Sequence, residues 1–385
     1  MARRVAIVGF GQTHHVARRR DVNGVELINE AVIRAFNDAQ LTRDDIDAVV
    51  IGNMDHFEGI NYVDTWSVDG SAAYMKPIMK VCTGGTTGTT VAMAAYYHVA
   101  SGLFDKVLAI GWEKNSESDT TGAIVTAFDP IWDRPTFAGA IGGLAQDALA
   151  YMNEFGATLE DAARVAVRDR QHARNNPYAH MQLDISIDDV MNSPTISYPI
   201  RLLDMCPRTD GAAAVIFAAE DEAKKITSTP VWVVATANRH NFAMAGDTIF
   251  GRLQTLEEAS KEVYKKAGIK EPLKEIDMGE LYQPSSFSGL IWIESLGLCK
   301  RGEGPKLVAD GVTNMNGEFP INPSGGVLSS NPIGATGLLR VGEATHQIMG
   351  KSDKRQVPDV KTVLVTGFGG CFWSDVMLLS KNKPK

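Results

Sequence analysis

Short apolar runs alternate with longer periodic stretches along the whole chain. In the N-terminal part, apolar runs at 5–8, 46–51 and 107–110 are separated by helix-like periodic stretches at 25–39 and 86–100. The periodic stretches predict amphipathic helices, while the short continuous runs predict buried strands. Strands and helices that alternate in this way are typical of a parallel sheet covered by helices. The pattern therefore predicts an α/β fold.

The C-terminal part passes through the same order of elements. Its apolar runs and periodic stretches lie at 231–235, 256–267, 276–281, 287–298, 335–348 and 363–366. The segment CTGGTTG at 82–88 matches NPIGATG at 331–337 in two glycines and a threonine, and segments starting at 45 and 107 match others starting at 275 and 363. Three matches in the same order predict an internal duplication.

Residues 120–198 do not fit the repeat and are interpreted as an inserted lobe. We therefore expect an N-terminal half at 1–119 and 199–225, an inserted loop domain at 120–198, and a C-terminal half at 226–385. The stretch at 159–174 is rich in arginine and histidine and is charged on one face, which is typical of a solvated helix surface.

Composition excludes several classes of function. A formal net charge of −8 argues against nucleic-acid binding, which requires a basic surface. No apolar run approaches the length of a membrane span, and the N-terminus lacks the pattern of a secretory signal, so we expect a cytoplasmic protein. The four cysteines, at 82, 206, 299 and 371, are too far apart in sequence for a zinc knuckle or a redox motif. We expect free thiols and no metal site.

Cys82 is the candidate nucleophile. It follows a short extended segment and precedes a glycine-rich turn into a predicted helix. A thiol at a helix N-terminus meets unsatisfied N–H groups and the positive end of the helix dipole, which both favour the thiolate. The duplication places Asn331 at the equivalent position of the second half, so two helix N-termini are expected to face one site between the halves.

Five segments together resemble the successive blocks of thiolases, particularly the archaeal and sterol-carrier-protein type. They are VCTGGTTG, LLDMCPRTDGAAAVIFA, LGLCKRGEGPKLVADG, INPSGGVLSSNPIGATG and VTGFGGC. The resemblance covers essentially the whole chain. It implies duplicated βαβαβαββ halves in a five-layered arrangement with an inserted loop domain, a homodimeric core, and CoA as a substrate without a permanently bound cofactor.

The resemblance also assigns individual residues. Cys82 matches the cysteine that is acylated, and its backbone N–H together with that of Gly369 would bind the thioester oxygen. The segment expected to run beside the pantetheine of CoA contains Asn322, Ser324, Gly325 and Gly326. Phe287 is an aromatic residue near these blocks and is compatible with an aryl substrate.

The chain departs from the family at its usual base. Asn331 stands where the family has a histidine, and an amide cannot accept a proton at neutral pH. Tyr282 begins the segment YQPSSF, which replaces the family motif, and Gly367 occupies the position of a second cysteine. Tyr282 and Cys371 are the available substitutes, and Cys371 is the easier acid–base group because a free thiol has a pKa of about 8.5 against about 10 for tyrosine. His56 and His240 are further alternatives, each following a predicted strand.

Three functions stay open from the sequence. The leading one is thiolytic cleavage of a 3-ketoacyl-CoA through a Cys82 acyl-enzyme, and the chain also resembles members that cleave 2-benzoylsuccinyl-CoA. A thiolase-like retro-aldolase that uses Tyr282 is the second, and a non-catalytic acyl-CoA-binding subunit is the third. Because the chain is acidic, we also expect a small partner with a zinc ribbon and an OB-fold to supply part of the CoA site; the alternative is CoA binding by Arg164 or Arg168 of the inserted lobe.

Overall fold

A computed structural model describes residues 3–136, 139–242, 248–370 and 373–384. Most of the strands in this part of the chain belong to the two predicted halves. They are β1 (Val5–Gln12), β2 (Ala48–Gly52), β3 (Ile78–Lys80), β4 (Lys106–Lys114), β5 (Thr195–Ser197), β6 (Ile200–Arg201), β7 (Asp210–Ala219), β8 (Val231–His240), β9 (Met278–Glu280), β10 (Thr362–Phe368) and β11 (Trp373–Ser380).

The helices lie between these strands or in the segment that precedes β5. They are α1 (Gly24–Ala39), α2 (Val63–Trp66), α3 (Thr87–Ala100), α4 (Thr120–Val125), α5 (Gly139–Phe155), α6 (Leu159–Ala173), α7 (Ile187–Asn192), α8 (Glu220–Ile226), α9 (Gln254–Ala267), α10 (Pro272–Glu275), α11 (Ser286–Ser295), α12 (Gly304–Ala309), α13 (Gly326–Ser329) and α14 (Ile333–Met349). Among the described residues, no helix combines the length and the apolar character needed to cross a membrane.

Nine of the strands form one mixed sheet in the order β3-β2-β4-β7-β1-β8-β11-β10-β9. Strand β2 is parallel to β3 and β4, and β9 is parallel to β10, while all other neighbours are antiparallel. The sequence predicted a parallel sheet, and parallel pairs occur in both halves, but antiparallel pairs join them. One reason is local: β10 and β11 are joined by a short connection, which allows only antiparallel pairing. The halves meet where β1 pairs with β8.

The fold has five layers, as predicted. The two halves of the sheet form two of them, and helices form the other three. Helix α1 packs on β1, β4 and β7, and α9 packs on β8 and β11. Between the two halves, α3 and α14 contact each other and the strands of both halves. One apolar core surrounds the central helices, and two further cores lie between the sheet and the outer helices, one in each half. Helices α5 and α6 of the region 120–198 add to the outer core by packing against α11.

Two glycines bring the central helices into backbone contact. A Cβ atom on Gly88 of α3 would lie 2.5 Å from the amide nitrogen of Leu338, and one on Gly337 of α14 would lie 2.5 Å from that of Thr89. Neither position can therefore hold a larger residue without separating the helices. These glycines belong to the matching segments at 82–88 and 331–337, so the duplicated sequence has a packing reason. The contact brings the two segments that begin with Cys82 and Asn331 into one region.

Candidate active site

Cys82 lies in the loop between β3 and α3, and it is exposed. Thr87, the first residue of α3, closes this loop: its hydroxyl donates to the carbonyl oxygen of Gly84 at 2.6 Å and accepts from the N–H of Thr83 at 3.0 Å. Residues 83–86 therefore separate the thiol from the first turn of the helix.

The electrostatic surroundings of Cys82 differ from the expected ones. Desolvation raises the pKa of the Cys82 thiol, and the Asp55 carboxylate raises it further, while the Gly84 N–H and the Lys80 ammonium act in the opposite direction. Lys80 is itself paired with Asp55. In this balance desolvation and Asp55 outweigh the groups that lower the pKa of Cys82, so the predicted stabilisation of the thiolate by the helix N-terminus is not seen in the pKa of the thiol. A neutral thiol needs a base before it can act as a nucleophile.

Gly369 reaches the Cys82 loop from the second half of the chain. A Cβ atom on Gly85 would lie 2.3 Å from the carbonyl oxygen of Phe368 and 3.5 Å from the Cα of Gly369. However, the Gly369 N–H donates to the carbonyl oxygen of Trp373 at 2.9 Å. This hydrogen bond occupies the Gly369 N–H in the structure, and its expected role in binding the thioester oxygen stays a prediction. Cys371 lies outside the described residues.

Asn331 is the centre of a buried polar cluster, and it is 6% exposed. Its side-chain oxygen accepts from the hydroxyls of Thr336 at 2.8 Å and Tyr282 at 3.3 Å. Its side-chain nitrogen donates to the sulfur of Cys206 at 3.2 Å. Its backbone is held by Asn115, whose side chain donates to the Asn331 carbonyl at 3.0 Å. The amide thus connects two titratable groups, a phenol and a thiol.

Both titratable groups are neutral at physiological pH. Burial raises the pKa of Tyr282 far above its usual value, and the nearby Cys206 raises it further. Burial raises the pKa of Cys206 to about 11, although the hydrogen bond from Asn331 and the charge of Arg170 lower it. Tyr282 and Cys206 can therefore donate protons, and either would be a strong base once deprotonated.

The N-terminus of α14 is occupied by a protein carboxyl group rather than open to a ligand. Glu113 is fully buried and accepts from the backbone N–H of Gly334 at 2.8 Å and that of Met54 at 3.1 Å. Burial raises the pKa of Glu113 well above its usual range, and the adjacent Glu58 raises it further. We expected the N-termini of both central helices to face the site. At α14, however, the Glu113 carboxyl group occupies the N-terminus.

The side chains of Asn322 and Ser324, which were expected beside pantetheine, bind other parts of the protein. Asn322 accepts from the N–H of Leu281 at 2.7 Å and donates to Asp169 at 3.2 Å, and the Ser324 hydroxyl donates to Glu280 at 2.8 Å. Additional atoms at two glycines would collide with neighbours, since Cβ atoms at Gly325 and Gly326 would lie 2.5 Å from Ala173 and 2.4 Å from Asn322. These four residues shape the loop from within.

Among the aromatic residues, Phe287 is 1% exposed and belongs to the core, so it does not line an open site. Phe368, whose backbone carbonyl borders the Cys82 loop, packs its ring into the same core, with ring centroids 5.0 Å from Trp292 and 6.2 Å from Tyr282. His56 and His240 are both exposed, and neither is hydrogen-bonded to the Asn331 cluster.

Sequence reasoning missed Cys206, Arg170 and Glu113. Cys206 lies inside a block that carried the family resemblance, yet its local pattern resembles that of any partly buried cysteine. The signal that could have found it is the missing histidine at position 331, which leaves room for another acid–base group at that point. The fold and the site define a duplicated, five-layered α/β protein with an exposed cysteine where the two halves meet.

This class corresponds to a known family. The model described as "Thiolase, N-terminal domain" matches residues 5–221, and "Thiolase C-terminal domain-like" matches residues 235–382. The chain therefore belongs to the thiolase family, and it is an enzyme of the acyltransferase class. Thiolases use CoA as a substrate.

Three relatives illustrate the similarity. An acetyl-CoA acetyltransferase of Methanothermobacter thermautotrophicus is 33% identical, covering 96% of this chain and 97% of its own length. The benzoylsuccinyl-CoA thiolase subunit BbsB of Thauera aromatica is 32% identical and covers 96% of both chains. The solved structure of the "Ltp2-ChsH2(DUF35) aldolase" superposes with a TM-score of 0.86 at 27% identity and covers 99% of both chains.

Proposed function

We propose that the protein catalyses the CoA-dependent thiolytic cleavage of a 3-ketoacyl-CoA through an acyl-enzyme on Cys82. The observation that carries this proposal is the exposed Cys82 thiol in a loop that contacts the Phe368–Gly369 turn of the opposite half. The Cys82 sulfur attacks the keto carbon, and the adjacent carbon–carbon bond breaks to leave an enolate of the departing CoA thioester. CoA then takes the acyl group from Cys82.

For the acyl group we propose an aryl-containing chain, with 2-benzoylsuccinyl-CoA as the substrate and benzoyl-CoA and succinyl-CoA as products. The likeness to the BbsB subunit over 96% of both chains supports this choice.

Mass spectrometry of the intact protein tests this function. The protein is mixed with 2-benzoylsuccinyl-CoA, and separately with benzoyl-CoA or acetyl-CoA, and the acylated residue is located by peptide mapping. We expect a benzoyl adduct on Cys82 and none on the Cys82→Ser variant. Cys299→Ala is the matched control, since Cys299 is a free thiol away from this loop. An adduct on another residue, or none with any of the three thioesters, contradicts the proposal.

A retro-aldolase is the second candidate function. Tyr282 is 3% exposed and hydrogen-bonded to Asn331, so a phenol occupies the region where the family has its histidine. The similarity to the Ltp2-ChsH2(DUF35) aldolase supports this alternative. An aldolase needs no acylated thiol, so its activity would survive Cys82→Ser and be lost in Tyr282→Phe.

We further propose that the protein forms a homodimer. Strand β3 lies at one end of the nine-stranded sheet, and several large apolar side chains near it are exposed. They are Tyr74, Met75 and Met79, which are 71%, 87% and 51% exposed. An exposed apolar strand at a sheet edge favours pairing with another chain. Sedimentation velocity should detect a dimer that Met79→Lys dissociates.

A zinc-ribbon and OB-fold protein is proposed as a second partner that supplies part of the CoA site. Two relatives support this proposal, since BbsB is one subunit of a thiolase and the Ltp2-ChsH2(DUF35) aldolase contains two proteins. The arginines considered as an alternative are occupied: Arg168 is buried and paired with Asp169 at 2.7 Å, and Arg164 is paired with Glu160. Calorimetry should detect weaker CoA binding by the chain alone than by material co-expressed with its operon neighbours. Equal affinities would exclude the partner as a CoA-binding element.

A further inference from the structure

Arg170, on α6, is a buried cation without a counter-ion. It is 1% exposed, and its Nε and Nη1 atoms have no hydrogen-bond partner, while Nη2 donates to the carbonyl oxygen of Met205 at 3.3 Å. In the part of the chain that the structure describes, no carboxylate forms an ion pair with it. Arg168, two residues earlier in α6 and also buried, binds Asp169 at 2.7 Å. An unpaired buried charge is costly, so Arg170 is expected to face an anion at some stage of function.

The group that faces Arg170 is the thiol of Cys206. Arg170 binds the carbonyl of Met205, the residue before Cys206, and its charge lowers the pKa of the Cys206 thiol; the Asp169 carboxylate also acts on the Arg170 charge and raises the pKa of Arg170. The Cys206 sulfur also accepts the hydrogen bond from Asn331 at 3.2 Å. A thiolate at this position would therefore have a cation and an N–H donor already in place.

The backbone holds Cys206 against the loop that follows β9. Its N–H donates to the carbonyl oxygen of Pro284 at 3.0 Å, and Met205 forms a bridge with Ser285. Pro284 and Ser285 belong to the segment YQPSSF, which replaces the usual motif of the family. The same segment begins with Tyr282, which binds Asn331. Cys206 keeps partial exposure, so protons can reach its sulfur.

We propose that Cys206 is the proton-transfer residue of this site, a second catalytic thiol whose thiolate is stabilised by Arg170 and Asn331. This inference rests on the proposed function. When the carbon–carbon bond of the substrate breaks, the Cys206 S–H bond breaks too, and its proton forms the new C–H bond at the α-carbon of the enolate. The Cys206 thiolate then takes the proton of the CoA thiol. The CoA thiolate attacks the Cys82 thioester, and Cys82 leaves as a thiolate that attacks the next substrate. Before the first turnover the resting Cys82 thiol loses its proton to solvent water.

Tyr282 is less suited to this cycle than Cys206. Its hydroxyl donates to Asn331, and the cation beside the cluster, Arg170, contacts the Cys206 segment instead. A phenolate at Tyr282 would face the Asn331 oxygen, which also accepts from Thr336 and carries partial negative charge. Proton transfer therefore leaves its negative charge more favourably on Cys206.

Hydrogen exchange at carbon separates this step from acylation. Wild-type protein is incubated with acetyl-CoA or succinyl-CoA in D2O, and deuterium at the α-carbon is measured by NMR while acylation of Cys82 is measured by mass spectrometry. We expect Cys206→Ala and Cys206→Ser to lose exchange by about 100-fold or more, the scale of a lost acid–base group, while the Cys82 adduct still forms. Cys299→Ala should retain both. Exchange within a few-fold of wild type in Cys206→Ala, or no exchange by a wild type that is acylated, overturns the proposal.

The two proposals fail separately in this experiment. Exchange that depends on Cys206 without a Cys82 adduct refutes the acyl-enzyme but supports the role of Cys206. A Cys82 adduct together with exchange that depends on Tyr282 and not on Cys206 supports the acyl-enzyme but refutes the role of Cys206.

A second measurement does not require a Cys206 variant to fold. Alkylation of Cys206 by iodoacetamide is followed by peptide mass spectrometry in wild type, Arg170→Gln and Arg170→Lys. We expect the rate at Cys206 to fall about tenfold in Arg170→Gln and to recover partly in Arg170→Lys, because the thiolate reacts and the cation favours it. Equal rates in the three proteins overturn the role of Arg170, and an unreactive wild-type Cys206 overturns the role of the thiol.

Discussion

Replacing Asn331 with histidine, the usual residue of the family, tests whether this site has been rebuilt around its amide. In the structure the Asn331 side chain binds three partners, the hydroxyls of Tyr282 and Thr336 and the sulfur of Cys206. A histidine cannot reproduce this set, because its ring is larger and its nitrogens lie in different directions. We therefore expect Asn331→His to lower both stability and turnover.

The magnitude follows from the burial of the partners. Tyr282 is 3% exposed, and a buried hydroxyl left without a partner costs about 1–3 kcal/mol. Thr336 loses little, since its hydroxyl also lies 3.0 Å from the carbonyl oxygen of Pro332. Extra ring atoms at a position that is 6% exposed cost about 1–3 kcal/mol through overpacking. The free energy of unfolding is expected to fall by about 2–6 kcal/mol.

Urea denaturation and turnover with the native substrate measure this prediction. Tyr282→Phe is the control, since it removes one hydrogen bond, keeps the ring and should cost only about 1 kcal/mol. An Asn331→His protein that unfolds within about 0.5 kcal/mol of wild type and turns over at least tenfold faster would refute the reasoning. That result would identify Asn331 as a defect rather than as part of a rebuilt site.

Three further predictions concern the nucleophile, the pH dependence of stability and the central helices. Cys82→Ser should abolish turnover without changing the circular dichroism spectrum, since a hydroxyl is a much poorer nucleophile. Burial raises the pKa of Asp147 to about 7. Folding therefore takes up a proton at this residue, and its contribution to stability falls as the pH rises from about 4 to 7. Urea denaturation at pH 5 and 8 should show a smaller loss of stability in Asp147→Asn than in wild type. Gly337→Ala should give insoluble or strongly destabilised protein in expression and melting tests, because its Cβ would lie 2.5 Å from a backbone nitrogen of α3.

The order of elements and the duplication followed from the sequence by itself. Apolar periodicity is a local signal, so the runs at 5–8 and 363–366 could be assigned to strands without tertiary information. The matching segments at 82–88 and 331–337 also predicted a common site. Their glycines in α3 and α14 allow the two helices to come into contact, which brings these segments into one region. The domain boundaries and the role of Cys82 stay predictions that the experiments above address.

The chemistry around Asn331 was decided only by the tertiary structure. Cys206 and Tyr282 come from distant segments and meet at the Asn331 amide, and Arg170 binds the residue before Cys206; no spacing in the sequence reveals these contacts. The raised pKa of Cys82 depends on desolvation and on the Asp55 charge, and the hydrogen bond of the Gly369 N–H depends on its contact with the Trp373 carbonyl. The packed molecule determines desolvation, charge contacts and the partners of backbone N–H groups. A sequence motif can therefore identify candidate residues, but only the fold determines which of their atoms are free to react.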